Sequence, residues 1–213
     1  MGAVERCGTC RVGRGSVLVG LAVPFHSAFG SGSPLAGALK GVVLAGCPHA
    51  ELVDVSHEVP RFDVFAGAFM LFAGTRHFSA GSVHLVVVDP GVGSARRRLA
   101  IRAGGLYYVG PDNGLFSIVI EEVGLQKAVE LAPRSGGSAT FEGRDVFAPA
   151  AAALAAGVPL DSLGHPTGPP QLRDHTPRVL RIDGFGKLAT YLKPPARRRP
   201  IHHPEPTAPA PAA

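Results

Sequence analysis

The hydrophobic pattern alternates between two periods. Val83–Val88 (VHLVVV) is β-branched and apolar without alternation, which predicts a strand buried on both faces of a largely parallel sheet. Shorter apolar runs at Ser16–Val23, Glu51–Ser56 and Ala128–Leu131 predict further strands, and Leu99–Arg102 with Leu106–Val109 predicts a hairpin around Gly104-Gly105. Helical spacing appears in Leu35–Ala45 behind Pro34, Val64–Phe72 behind an Asp63 N-cap, Leu115–Val123, and Val146–Ala156 with Asp145 as its cap. Alternating strands and helices predict a layered α/β domain over residues 16–165 with a mostly parallel central sheet, preceded by a loose lead-in at 1–15. Residues 166–177 read as a linker by composition. Residues 178–193 restart a β pattern around Gly184-Phe185-Gly186 and read as the remnant of an incomplete C-terminal β domain. Residues 194–213 hold seven prolines and one large apolar side chain, too little to build a core, and read as a disordered tail.

Composition narrows the class. At 213 residues and 46% hydrophobic content the chain can bury a good-sized core. It contains no run of roughly eighteen apolar residues, so no membrane partner is expected. The N-terminus lacks the charged, apolar and small-residue order of a leader, which points to the cytoplasm. The net charge of +5 is concentrated in Arg96–Arg98 and Arg197–Arg199, without a basic helix interleaved with aromatics, so no nucleic-acid partner is expected. Cys7 and Cys10 form a lone CxxC, and Cys47 is distant. That set makes neither a zinc site nor a disulfide framework; no metal and no cofactor are expected, and the thiols read as reduced.

The chemistry-bearing stretch follows the central strand. Asp89 stands at its carboxyl end, where open α/β sheets place ligand-binding groups. Pro90, Gly91 and Gly93 make a turn that returns Arg96 over the strand end. The residues alone leave two readings open, a shared site for a small polar ligand or a structural turn with a surface ion pair.

Five stretches in order, LKGVVL (39–44), VDVSHEVPRFDVFAGAF (53–69), GSVHLVVVDPGVGSARR (81–97), YYVGPDNGLFS (107–117) and TFEGRDVFAPAAAALAAG (140–157), resemble the S-adenosyl-L-methionine (SAM) hydroxide adenosyltransferases, relatives of the SAM-dependent fluorinase and chlorinase. The resemblance covers about residues 28–192. It implies hydrolysis of SAM to adenosine and L-methionine, by water or hydroxide attacking the ribose C5′. In that family an Asp–Arg–His set activates the water. The Asp maps onto Asp89 and the Arg onto Arg96, while Glu142 of Phe141-Glu142-Gly143-Arg144-Asp145 stands where the family has histidine. Glu142 is read either as a proton acceptor of the catalytic set or as a solvated turn residue. The resemblance also implies substrate contacts for Phe62, Asp112, Asn113, Phe141, Asp183 and Phe185. Phe62 could instead pack in the core, and Asp112 and Asn113 are turn formers in their own right. Ala28 replaces the aspartate that holds the ribose hydroxyls, and Lys187 and Tyr191 replace asparagines. A homotrimer with SAM as its small-molecule partner is implied as well. The competing reading is a non-catalytic relative that keeps the fold, the assembly or weak nucleoside binding. His57 reads as a satisfied turn histidine and Lys40 as a solvated helix residue.

Overall fold

The computed structural model describes residues 21–133, 140–173, 178–182 and 185–191. It divides the chain into two units, Met1–Asp174 and His175–Ala213. The expected lead-in at 1–15, the expected tail at 194–213 and Asp183 lie outside the described residues.

The first unit is a seven-stranded sheet between two helical layers. Its strands are β1 (Ala22–Ser27), β2 (Glu51–Ser56), β3 (Val83–Val87), β4 (Arg98–Ala103), β5 (Leu106–Pro111), β6 (Leu125–Leu131) and β7 (Gly164–Pro166), in the order β2-β1-β3-β5-β4-β6-β7. Strands β2, β1, β3 and β5 pair in parallel, whereas β4 pairs antiparallel with both β5 and β6, and β7 closes the edge antiparallel to β6. Only β4 and β7 therefore run against the common direction, which agrees with the mostly parallel sheet expected.

Helices α1 (Pro34–Gly46) and α4 (Ala148–Ala155) cover one face, where Leu39, Val43, Phe147 and Ala151 pack on Val23, Phe25, Leu85 and Val87. Helices α2 (Val64–Thr75) and α3 (Ser117–Val123) cover the other, where Leu71, Leu115 and Val119 pack on Val86, Ile101 and Tyr108. Both faces of β3 are thus buried, and this explains why its sequence is uniformly apolar instead of alternating.

Two expected elements shift. Among the described residues the first strand is Ala22–Ser27, running past the expected end at Val23, and residues 16–20 of the expected Ser16–Val23 lie outside the described residues. The sheet selects the window that puts Val23 and Phe25 into one core, and it accepts Pro24 because β1 pairs with β3 only from Phe25 onward. The last helix starts earlier than Val146: a π turn over Gly143–Phe147 leads into α4. Asp145 is therefore not its cap. Its own N–H donates to Phe141 O at 2.9 Å, and its carboxylate takes Arg144 Nε at 2.7 Å.

Residues 167–173 of the expected linker are held against the first unit. Arg97 donates to Thr167 Oγ1 and to the carbonyls of Gly168 and Pro169, Gln171 N donates to Asp112 Oδ1 at 2.7 Å, and Arg173 N donates to Ser117 Oγ at 2.9 Å. The second unit contains an antiparallel hairpin of β8 (Arg178–Ile182) and β9 (Leu188–Tyr191); Phe185 and Gly186 of the expected Gly-Phe-Gly bend lie between them, and Gly184 lies outside the described residues.

Candidate active site

Sheet topology decides where a ligand can sit. The chain leaves β1 through α1 toward β2 on one side and returns through α2 to β3 on the other, so the strand order reverses between β1 and β3. The loops after those two strands diverge and leave a crevice at their carboxyl ends. A cleft of about 460 Å³ lies there, lined by Ala28 and Phe29 after β1, by Val88, Asp89 and Pro90 after β3, and by Phe62 and Phe141 among others. Its size suits a small-molecule ligand, and its walls are largely apolar around a few polar groups.

Asp89 reaches the cleft because of the turn that follows it. Gly93 adopts φ 81°, a left-handed conformation that a side chain would strain, and Ser94 N closes the turn on Gly91 O. Arg96 is thereby folded back over Asp89, with its Nε 2.7 Å from Oδ1 and its Nη2 on Oδ2, a bidentate fork. Both side chains are buried, so this is not the surface pair that the turn by itself allowed.

Glu142 joins them from the start of the π turn: Arg96 Nη2 also donates to Glu142 Oε2. The other carboxylate oxygen, Oε1, receives Arg98 Nε at 2.5 Å. At 4% exposure Glu142 is not a solvated turn residue. The cluster is thus two carboxylates and two guanidiniums. Burial pushes the Asp89 carboxyl above its usual range; the Arg96 fork opposes that shift, and the negative charge of Glu142 adds to it. Of Asp89, Arg96 and Glu142, Asp89 alone lines the cleft.

The aromatic residues expected at the site separate into two groups. Phe62 and Phe141 line the same cleft as Asp89. Phe62 is 77% exposed and holds φ 64°, strained for an aromatic residue, so it is a rim residue and not part of the core. Arg144 lies over the Phe141 ring at 4.9 Å. Phe185 belongs to the second unit, where it is 93% exposed.

Asp112 and Asn113 are buried and engaged elsewhere. Asp112 takes Arg97 Nε at 2.7 Å and Gln171 N, while Asn113 donates to Val88 O at 2.9 Å and accepts from Leu115 N. Neither lines the cleft, although Asn113 fastens the backbone of the residue just before Asp89. Gly110, at the end of β5, has no room for a side chain, because a Cβ there would stand 2.4 Å from Val86 O.

The sequence did not reveal that three consecutive arginines are engaged by three different carboxylates. Arg96 serves Asp89, Arg97 serves Asp112 and Arg98 serves Glu142. Alternation along the extended chain sends Arg97 to the opposite side from its neighbours. The run that resembled a basic patch is committed internally. His57 is satisfied at both ring nitrogens, by Ser27 Oγ at 2.8 Å and Asp54 Oδ1 at 2.9 Å, and its carbonyl accepts Gly30 N. It ties the end of β1 to the end of β2 and so fixes the Ala28–Gly30 wall of the cleft. Lys40 is not free in solvent but pairs with Asp54 at 2.6 Å. Among the described residues no group of three or more His, Cys, Asp and Glu side chains could hold a metal, and no helix is long and apolar enough to cross a membrane.

Residues 23–164 match the family described as SAM hydroxide adenosyltransferase N-terminal domain. The chain is 39% identical over 183 residues to the (R)-S-adenosyl-L-methionine hydrolase of Salinispora tropica, and 41% identical over 183 residues to that of Salinispora arenicola. Each alignment covers 78% of this chain and 70% of the relative. A crystal structure of an uncharacterized conserved protein from Thermotoga maritima superposes with a TM-score of 0.75 at 34% identity, covering 79% of this chain and 70% of that one.

Proposed function

Since the chain belongs to the SAM hydroxide adenosyltransferase family, we propose that it hydrolyses SAM to adenosine and L-methionine. The observation that carries this reading is Asp89, a carboxylate buried at the switch point of the sheet, oriented by an arginine fork and presented to a cleft of nucleoside size. A water oxygen bonds to the ribose C5′ as the C5′–S bond breaks. The bonding pair stays on sulfur, which leaves as the neutral thioether of methionine, and the proton of the water passes to Asp89. A sulfonium leaves without acid assistance, so the reaction calls for a positioned water and a base, not for a metal or cofactor. A carboxyl raised by burial is a stronger base than an exposed one. Arg96 and Glu142 act through Asp89 as positioning residues, and Phe62 and Phe141 flank the substrate at the rim.

Homotrimeric assembly belongs to the same proposal and is supported by the family resemblance. A cytoplasmic setting is supported by the reading of the cysteines as reduced thiols, of which Cys47 is buried. The test is incubation of the purified protein with SAM in ¹⁸O-water. The expected products are methionine and adenosine carrying the label in its 5′-hydroxyl. No adenosine above the uncatalysed background would overturn the reading and leave a non-catalytic relative.

A further inference from the structure

We propose that Arg98 is a positioning residue of the hydrolytic site, which neutralises Glu142 so that Arg96 stays on Asp89 and Asp89 stays charged. The proposal rests on the hydrolase reading above. It starts from a charge count. Arg96 Nη2 is shared between Asp89 Oδ2 and Glu142 Oε2, so one guanidinium faces two carboxylates. All three of these side chains are buried. With Arg96 alone the cluster would carry an uncompensated negative charge largely withdrawn from solvent, and two routes relieve that. Arg96 can shift toward Glu142, or one carboxylate can take up a proton. The first takes the cation away from Asp89, and the second disables Asp89 as a base when the proton goes to it.

Arg98 removes the need for either route. Its Nε and Nη2 both lie 2.5 Å from Glu142 Oε1, the oxygen that Arg96 does not use. Each oxygen of Glu142 therefore has its own cation, and the cluster closes at two positive and two negative charges. Strand geometry makes the contact dependable. Arg98 is the first residue of β4 and pairs with Pro111 of β5, which fixes its backbone, while Arg97 points to the other side and binds Asp112. Arg98 does not line the cleft, so its effect passes through Glu142 and Arg96. The other charged residues lining the cleft with Asp89 are Arg61 and Arg144, the second of which is held by Asp145. The test leaves both in place.

The test is the pH dependence of kcat/KM for SAM in the wild type, Arg98→Met, Arg98→Lys, and Arg98→Met combined with Glu142→Gln. Loss of Arg98 is expected to move the acid limb up by about one pH unit, so that the rate on that limb falls about tenfold while the plateau at higher pH changes little. Arg98→Lys should restore most of the limb, and Glu142→Gln in the Arg98→Met background should return it to the wild-type position by removing the excess negative charge. A purely structural arginine would instead lower the rate equally at every pH, without rescue by Glu142→Gln. An unmoved limb or an absent rescue overturns the proposal. If Arg98→Met does not fold, Glu142→Gln alone decides it: the limb must move to lower pH. Carboxyl ¹³C NMR titration of Asp89 in the same proteins reads the charge state without turnover. A wild type that releases no adenosine therefore fails the hydrolase reading, while an Asp89 titration unmoved by Arg98→Met fails this one.

Discussion

Lowering the pH from 7 to 5 crosses the ordinary titration range of histidine, and two histidines of this protein cannot follow it while folded. His26 of β1 and His84 of β3 lie side by side on adjacent strands, with His26 Nε2 3.4 Å from His84 Nδ1. His84 stacks on Tyr108 at 5.1 Å and meets Phe78 edge-on at 5.2 Å. His26 Nδ1 and His84 Nε2 have no hydrogen-bond partner among the described residues. Burial, with the neighbouring His57 adding to it, lowers His26 to about 3. Burial, with His26 adding to it, lowers His84 to about 2. Both therefore stay neutral in the folded state at pH 5, whereas the unfolded chain protonates them near pH 6.5. With depressed folded values, the stability these groups contribute is fully present above pH 6.5 and is lost as the pH falls, because the unfolded state then binds more protons. From pH 7 to 5 each histidine costs about 2 kcal/mol, or about 4 kcal/mol for the pair. That is a large share of the 5–15 kcal/mol of a typical domain. Asp89 offsets part of it, since a carboxyl raised in the folded state takes its proton before the unfolded chain does. The assay is urea unfolding at pH 7, 6 and 5, with His84→Phe as the comparison. The wild type should lose about 3–4 kcal/mol across that range, and the variant should lose about 2 kcal/mol less. A loss below about 1 kcal/mol, or a variant with the wild-type slope, would refute the reasoning.

Three further outcomes follow from the site. Asp89→Asn removes the base and should lower kcat by about 10²–10⁴-fold while SAM still binds, as read by single-turnover kinetics and calorimetry; a kcat within tenfold of wild type counts against Asp89 as the base. Phe62→Asn places a residue that tolerates φ 64° at the rim, so it should raise thermal stability by up to about 1 kcal/mol and raise KM for SAM several-fold. An unchanged KM would mean that the ring does not meet the substrate. Arg97→Ala strips Asp112 of its guanidinium and the 167–169 segment of its donor, and should cost about 1–3 kcal/mol and expose Arg173 to trypsin. Resistance to trypsin equal to wild type would show that the segment is held by other contacts.

The elements that the pattern located depend on near neighbours in the chain. Strand β2 falls on Glu51–Ser56 as expected, and α2 starts where Asp63 Oδ1 accepts Ala66 N. The hairpin from β4 to β5 turns at Gly104 and Gly105, both with positive φ. Misplacements arise where distant partners choose the window. The register of β1 is set by β2 and β3, and the early start of the last helix puts Gly143 against Val87 and Leu39, where a Cβ would stand 3.3 Å from Val87.

The sequence by itself determined the class of fold, the strand that leads to Asp89, the turn that returns Arg96 to it, and the resemblance that names the chemistry. Those features rest on periodicity and on a turn of a few residues, which local sterics dictate. Only the tertiary structure decided what Glu142, Arg98 and Asp112 do. Arg96 meets Glu142 across 46 positions of the chain, Arg98 meets it across 44, and Gln171 meets Asp112 across 59. An ion pair is specified by distance in space and by burial, and no spacing rule along the chain encodes either. Three adjacent arginines therefore look like one basic run in the sequence, although the fold spreads them over three carboxylates.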